Sequence, residues 1–184
     1  ETVQFALSGA AVSCFYDIQN DLWNCEFDRN QIGQVVDNMV IASPGGKKAS
    51  VVAFNINDGK VIWEAEALEQ GPQYVNPKLI GFAGKKMIIT VMGTDIFAVN
   101  TKDGKILWKV NYAAINAATG RVMKNHAITP IYRDGYIMIA NGYNWVALKL
   151  KLSADGNSAE VVWENRNFDP QLGGVVLLGD NVYG

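Results

Sequence analysis

Asn57-Asp58-Gly59-Lys60-Val61-Ile62-Trp63 and Lys102-Asp103-Gly104-Lys105-Ile106-Leu107-Trp108 are two copies of one pattern. Each follows a matching apolar run, Val51-Val52-Ala53-Phe54-Asn55 in the first and Asp95-Ile96-Phe97-Ala98-Val99-Asn100 in the second. Trp163 follows Asp155-Gly156 and Val161-Val162, with extra residues between, and Trp23 ends a worn copy, Cys14-Phe15-Tyr16-Asp17 then Asp21-Leu22-Trp23. The four tryptophans lie 40, 45 and 55 residues apart. A repeat of about 40–50 residues holding several short strands is the signature of a β-propeller.

Each unit reads as four antiparallel strands. In the clearest one, Pro77 to Phe82 is an inner strand, Met87 to Met92 the next, Asp95 to Asn100 the third and Lys105 to Val110 the fourth. Ala83-Gly84, Gly93-Thr94 and Asp103-Gly104 supply the turns, since glycine and Asp-Gly readily reach positive φ. Val, Ile and aromatic residues fill the strands, as a pleated and buried surface prefers. No window sustains a helical period, so little helix is expected. The blades fall at 33–67, 77–112 and 127–166, with a fourth divided between 1–27 and 172–184. The expected fold is thus all-β, a single domain over 1–184 with about four blades of a propeller. The divided blade allows two arrangements: the termini close a small ring, or the chain is half of a larger propeller. Unpaired edges are sticky, so a lone half is expected to self-associate through them.

The recurring Trp23, Trp63, Trp108 and Trp163 are expected to be structural, each filling the wedge between neighbouring blades from the outer strand. The Asp-Gly turns that precede them are turn residues first, without the spacing of a calcium loop.

Bulk properties exclude several classes. The 184 residues carry 16 basic and 18 acidic side chains without a basic stripe, which argues against a nucleic-acid partner. No apolar run approaches the ~20 residues of a membrane-spanning helix, and Glu1-Thr2-Val3-Gln4-Phe5 is no signal peptide. Either a leader has been removed or the chain is a segment of something longer. If the first hairpin turns near Gln19-Asn20, Cys14 faces Cys25 across it. Two readings stand, a cross-strand disulfide or two buried thiols acting as small hydrophobes. A disulfide would indicate an oxidising compartment.

The long connections from each outer strand to the next inner strand should gather at one end of the blades, where propellers bind ligands. They hold Tyr74, Asn76, Tyr112, Asn116, Arg121, Asn125, His126, Arg166 and Phe168, a mixture of aromatic, amide and cationic groups suited to a protein, a peptide or a saccharide. His126 is the sole histidine. It has no cysteine or carboxylate cluster nearby in sequence, so a hydrogen-bonded structural role is expected rather than a metal or a general base. There is no phosphate loop, nucleophile elbow or dinucleotide fingerprint.

The motif Asp/Asn-x-x-x-Gly-Lys-x-x-Trp after an apolar-Ala-apolar-Asn strand, best seen in Val51 to Trp63 and Ala98 to Trp108, resembles the repeat of the pyrroloquinoline-quinone (PQQ) dehydrogenase superfamily. Thr129 to Gly135, Ala140 to Tyr143, Val161 to Asn165 and Gly173 to Val176 resemble its extracytoplasmic members. These include polyvinyl-alcohol-dehydrogenase-like proteins and relatives of the outer-membrane-protein assembly lipoprotein of the Bam complex. The resemblance implies seven or eight blades in the whole propeller and a periplasmic or other extracytoplasmic location. It implies one of two functions, a non-catalytic binding or scaffold module or a PQQ- and calcium-dependent alcohol dehydrogenase. The dehydrogenases hold the quinone between a Trp and a disulfide of adjacent cysteines, with calcium on Glu, Asn and Asp. This chain has no Cys-Cys pair, and Trp145 is expected on a third strand, away from the channel. The expectation is therefore a scaffold module without a cofactor.

Overall fold

In the computed structural model the described residues are 33–117, 125–170 and 174–184, together with the backbone of 12–17 and 22–27. They form sixteen strands and one short helix. Three sheets are complete. The first joins β3 (Gln34–Val36), β4 (Met39–Ala42), β5 (Val52–Asn55) and β6 (Val61–Glu64). The second joins β7 (Lys78–Phe82), β8 (Lys85–Met92), β9 (Asp95–Asn100) and β10 (Ile106–Asn111). The third joins β11 (Ile131–Arg133), β12 (Tyr136–Ile139), β13 (Ala147–Leu152) and β14 (Ala159–Asn165). All pairings are antiparallel between consecutive strands, so each sheet is a four-stranded meander, one propeller blade.

Two shorter sheets flank these: β1 (Val12–Asp17) with β2 (Leu22–Phe27), and β15 (Val176–Leu178) with β16 (Asn181–Tyr183). The divided blade of the sequence reading therefore consists of two separate two-stranded sheets among the described residues. Cys14 and Cys25 are cross-strand partners in β1–β2, as the turn arithmetic places them. The stretch 2–9, read as a second strand, lies outside the described residues.

The core lies between blades rather than within a central volume. Side chains alternate across a strand with period two, and β8 and β9 use both sides. Ile88, Met92, Phe97 and Val99 join Val36, Ile41, Ala53 and Trp63 of the first blade. Met87, Ile89, Val91, Ile96 and Ala98 join Ile137, Leu148, Leu150 and Leu152 of the third. A strand covered on both faces has no polar alternation, which is why Met87-Ile88-Ile89-Thr90-Val91-Met92 is apolar at every position but Thr90, itself buried.

One device repeats in all three blades and is invisible in the residue pattern. A β-bulge precedes each outer-strand tryptophan. The pairing steps from Phe54↔Val61 to Ala53↔Trp63, from Val99↔Ile106 to Ala98↔Trp108, and from Leu150↔Val161 to Lys149↔Trp163. Ile62, Leu107 and Val162 are the extra residues. A bulge resets which face the following residues occupy, so it decides the face of each Trp.

Candidate functional site

The outer-strand tryptophans meet different surroundings. Trp63 is buried, and its Nε1–H donates to the Thr101 carbonyl at 3.0 Å. Thr101 opens the β9–β10 turn of the next blade. A Cβ built on Gly104, in that same turn, would stand 2.6 Å from the indole, and Gly104 has φ +74. The Asp-Gly turn beneath Trp63 is thus the next blade's, not its own. Trp108 is buried without a hydrogen-bond partner for Nε1. The turn of the third blade is built differently: Ser153 N–H donates to Ser158 O, Gly156 N–H to Ser153 O and Asn157 N–H to Asp155 Oδ1. The Asp155 carboxylate is held down at about 2 by hydrogen bonds from Ser153 and Asn157. Trp163 is 42% exposed, in contrast to the wedge role expected for it, because no described turn covers it. For Trp23 only the backbone is described, paired with Tyr16.

The loop end of the blades is organised around His126, Tyr112 and Trp145. Asn111 caps α1 (Tyr112–Asn116), its Oδ1 accepting Ala114 N–H. This one-turn helix clasps Val146: the Tyr112 hydroxyl donates to Val146 O at 2.6 Å and Asn116 Oδ1 accepts Val146 N–H at 2.9 Å. The rings of Tyr112 and His126 each lie against Trp145, with centroids 4.6 Å away in both cases. His126 is buried. Its Nε2 lies 3.1 Å from the Gly93 carbonyl, and a carbonyl only accepts, so Nε2 holds the proton. Nδ1 makes no well-formed hydrogen bond, with Asn141 as its polar neighbour. Burial depresses the imidazole to about 4, opposed by the contacts to Gly93 and Asn141. Burial likewise raises the Tyr112 phenol, with the Asp169 charge adding to it. Both groups are neutral at physiological pH.

The backbone around this cluster is equally engaged. Gln73 Oε1 accepts His126 N–H, and Tyr74 N–H donates to His126 O. Asn141 accepts from Ala127 N–H and donates to Asn125 O. Gln70 reaches the β8–β9 turn through Thr94 N–H and Asp95. The connections of neighbouring blades are thereby tied into one polar floor.

Of the residues singled out in the sequence, His126, Asn116 and Tyr112 come together as that floor, while Tyr74 and Asn125 are exposed and Asn76 half-buried. Arg166 is exposed and 3.7 Å from Glu164. Phe168 is partly buried at the end of the third blade, and its N–H donates to Asn165 Oδ1. Arg121 lies outside the described residues. Trp145, expected on a third strand, instead precedes β13 and belongs to the His126 cluster. Its contacts with Tyr112 and His126 join residues of different blades and left no trace in the repeat pattern. Gln70, Gln73 and Asn141 were also missed, since isolated amides have no periodic signal. No group of three or more His, Cys, Asp or Glu side chains converges to hold a metal among the described residues, and no helix there is long and apolar enough to cross a membrane.

A second feature lies on the outward face of the third blade. Between it and the β15–β16 hairpin runs a cleft of about 990 Å³, bordered by Tyr136, Lys149, Lys151 and Trp163 on one side and Leu177 and Val182 on the other. Arg133 pins the hairpin by donating to Gly179 O and pairing with Asp180 at 3.1 Å. Lys149 Nζ sits 4.4 Å above the Tyr136 ring.

Comparison with known proteins places this architecture. The chain is similar to the crystal structure of BamB from Moraxella catarrhalis, with 17% identity over 84% of this chain and 39% of that one, at a TM-score of 0.48. It is similar also to the computationally designed Ika8 protein, with 10% identity over 94% of this chain and 64% of that one, at a TM-score of 0.38. The chain thus spans less than two thirds of either structure. No curated protein matches it significantly. Residues 14–184 match the family described as outer membrane protein assembly factor BamB, and with that span covered the chain belongs to this family of PQQ-like β-propeller proteins.

Proposed function

We propose that the chain is a non-catalytic, protein-binding propeller module of an extracytoplasmic protein that assists the assembly of outer membrane proteins. The observation that supports it most is the family match across 14–184. The loop end agrees with it chemically. His126, Tyr112, Asn116 and Asn141 are engaged in hydrogen bonds that hold the loops, and burial keeps the imidazole and the phenol neutral. None is placed to exchange protons with a substrate. Tyr74, Asn125 and Arg166 are exposed on the connections that follow the outer strands, an aromatic, an amide and a cation that suit an extended peptide segment with acidic groups.

The dehydrogenase reading fits the residues less well. Cys14 and Cys25 face each other across two strands and are not adjacent in sequence, and no acidic cluster suited to calcium is found among the described residues.

The test is genetic and biochemical. Deletion in the native host should lower the amount of folded outer-membrane β-barrel protein, and the wild-type gene should restore it. Tyr74→Ala/Arg166→Ala should fold normally and fail to restore it. Full rescue by that double variant would remove the loop face from the function. Saturable quenching of Trp fluorescence by PQQ with Ca²⁺ would favour the dehydrogenase instead.

A further inference from the structure

The connection from β6 to β7 belongs to no sheet, yet its middle is fixed from several sides. Tyr74 is 44% exposed between Gln73 and Val75, both buried. Among the described residues it is the one exposed large apolar side chain that lies outside the strands. The others, such as Val35, Ile62 and Tyr136, stand on strands of the blades.

Three grips hold the segment around Tyr74. Val75 enters the core shared by the second and third blades. Gln73 Oε1 accepts His126 N–H at 2.9 Å, and Tyr74 N–H donates to His126 O at 2.9 Å. Gln70 forms the third grip. Its carbonyl accepts Gly46 N–H from the β4–β5 turn at 2.6 Å, its Oε1 accepts Thr94 N–H at 2.8 Å, and its Nε2 donates to Asp95. Both turns come too close to carry a side chain there. A Cβ on Gly45 would stand 2.5 Å from the Gln70 carbonyl oxygen, and one on Gly93 3.2 Å from Gln70 Oε1. The segment is thus tied to the first blade through Gly46, to the second through Thr94 and Asp95, and to the lead-in of the third through His126. Pro72 and Pro77 restrict φ within it.

An irregular connection ordinarily loses backbone freedom when a partner orders it, and that loss weakens binding. A segment already held at Gln70, Gln73 and Val75 has little left to lose. Tyrosine suits the exposed position, since its ring offers a large contact area with only two side-chain torsions to fix.

We propose that Tyr74 is the anchor through which the loop face grips its protein partner, and that Gln70 and Gln73 are positioning residues that hold it in place before the partner arrives. The inference rests on the reading of the loop face as a protein-binding surface. The fitting partner segment carries an apolar side chain that covers the ring.

Amide exchange on the full chain and rescue of the deletion strain test it together. Gln73→Ala should speed exchange at the Tyr74 and His126 amides about tenfold, the worth of roughly one hydrogen bond, while Ile88 and Val99 keep their protection. Gln70→Ala should do the same at Thr94, and it carries the test if Gln73→Ala loosens β8. Tyr74→Ala should leave exchange at Thr94 unchanged and lower the restored amount of folded outer-membrane β-barrel protein about threefold or more. Gln73→Ala should lower it too, and Gln73→Ala/Tyr74→Ala should be no worse than Tyr74→Ala alone, because the glutamine acts through the tyrosine. Additive losses overturn the positioning role, since a merely structural glutamine would add. Unchanged exchange at Tyr74 in Gln73→Ala and at Thr94 in Gln70→Ala overturns it whatever the host shows. Full rescue by Tyr74→Ala, with Tyr74→Ala/Arg166→Ala still failing, removes the anchor and leaves the loop face standing. Full rescue by both removes the loop face itself.

Discussion

At the scale of single residues, Trp63 and Gly104 form the clearest contact, and it crosses a blade boundary. The indole needs a neighbour without a side chain, and the turn needs a residue at φ +74; glycine meets both demands. Gly104→Ala should therefore destabilise by about 2–4 kcal/mol in urea unfolding, from strain and overpacking together. Gly84→Ala, with φ +72 and open space around it, should lose only about 1 kcal/mol. The three described outer-strand tryptophans should separate in the same assay. Trp63→Ala should cost about 3–5 kcal/mol and Trp163→Ala less than about 0.5. Trp63→Phe should cost about 1 kcal/mol more than Trp108→Phe, because only Trp63 gives up a hydrogen bond.

His126 makes a residue-scale prediction in pH. Burial lowers its folded pKa from 6.5 to about 4. Between those values the unfolded chain binds a proton that the folded chain does not. Stability from this residue is fully present above pH 6.5 and falls as the pH drops toward 4, by roughly 3 kcal/mol at most. Urea midpoints measured from pH 7 to 4 should show that decline, and His126→Phe should flatten it. An imidazole that titrates by NMR near 6.5 in the folded chain would contradict the assignment.

At the scale of elements, the turns and bulges divide the labour. The Asn55–Lys60 and Asn100–Lys105 turns share the same four hydrogen bonds. The Asn N–H donates to the Lys carbonyl, the Gly N–H to the Asn carbonyl, the Asn side chain accepts from the residue two on, and the Asp side chain accepts from Lys N–H. Those residues announce themselves in sequence because each bond is local. The bulge does not, because Ile62, Leu107 and Val162 are ordinary strand residues whose extra position exists only relative to the partner strand. Deleting Leu107 should move Trp108 to the opposite face. The expected result is a red-shifted Trp emission and loss of cooperative unfolding; unchanged emission would show that the bulge does not set the face of the ring.

At the scale of the molecule, stability should be graded from the middle outward. β8 and β9 are buried on both sides, while β15–β16 is a short hairpin held by Arg133 with Val176, Leu178 and Tyr183 exposed. Amide exchange should be slowest at Ile88 and Val99 and fastest at Leu177 and Val182. Arg133→Ala should raise exchange in the hairpin alone. Protection of the hairpin equal to that of β8 would mean that it is covered in solution.

The sequence by itself determined the strand count per unit, the turn positions, the cross-strand placement of Cys14 opposite Cys25 and the propeller architecture. All follow from local turn chemistry and from apolar periodicity, which repeat with the chain. The polar alternation of Ala147-Leu148-Lys149-Leu150-Lys151-Leu152 was also legible, and it marks the open face of the third blade. Only the tertiary structure decided that the turn under Trp63 belongs to the next blade, that Trp163 stands exposed, and that Trp145, Gln73 and Asn141 surround His126. Those outcomes depend on which surfaces meet across blades. Such contacts join residues far apart in the chain, through packing and hydrogen bonds that have no period.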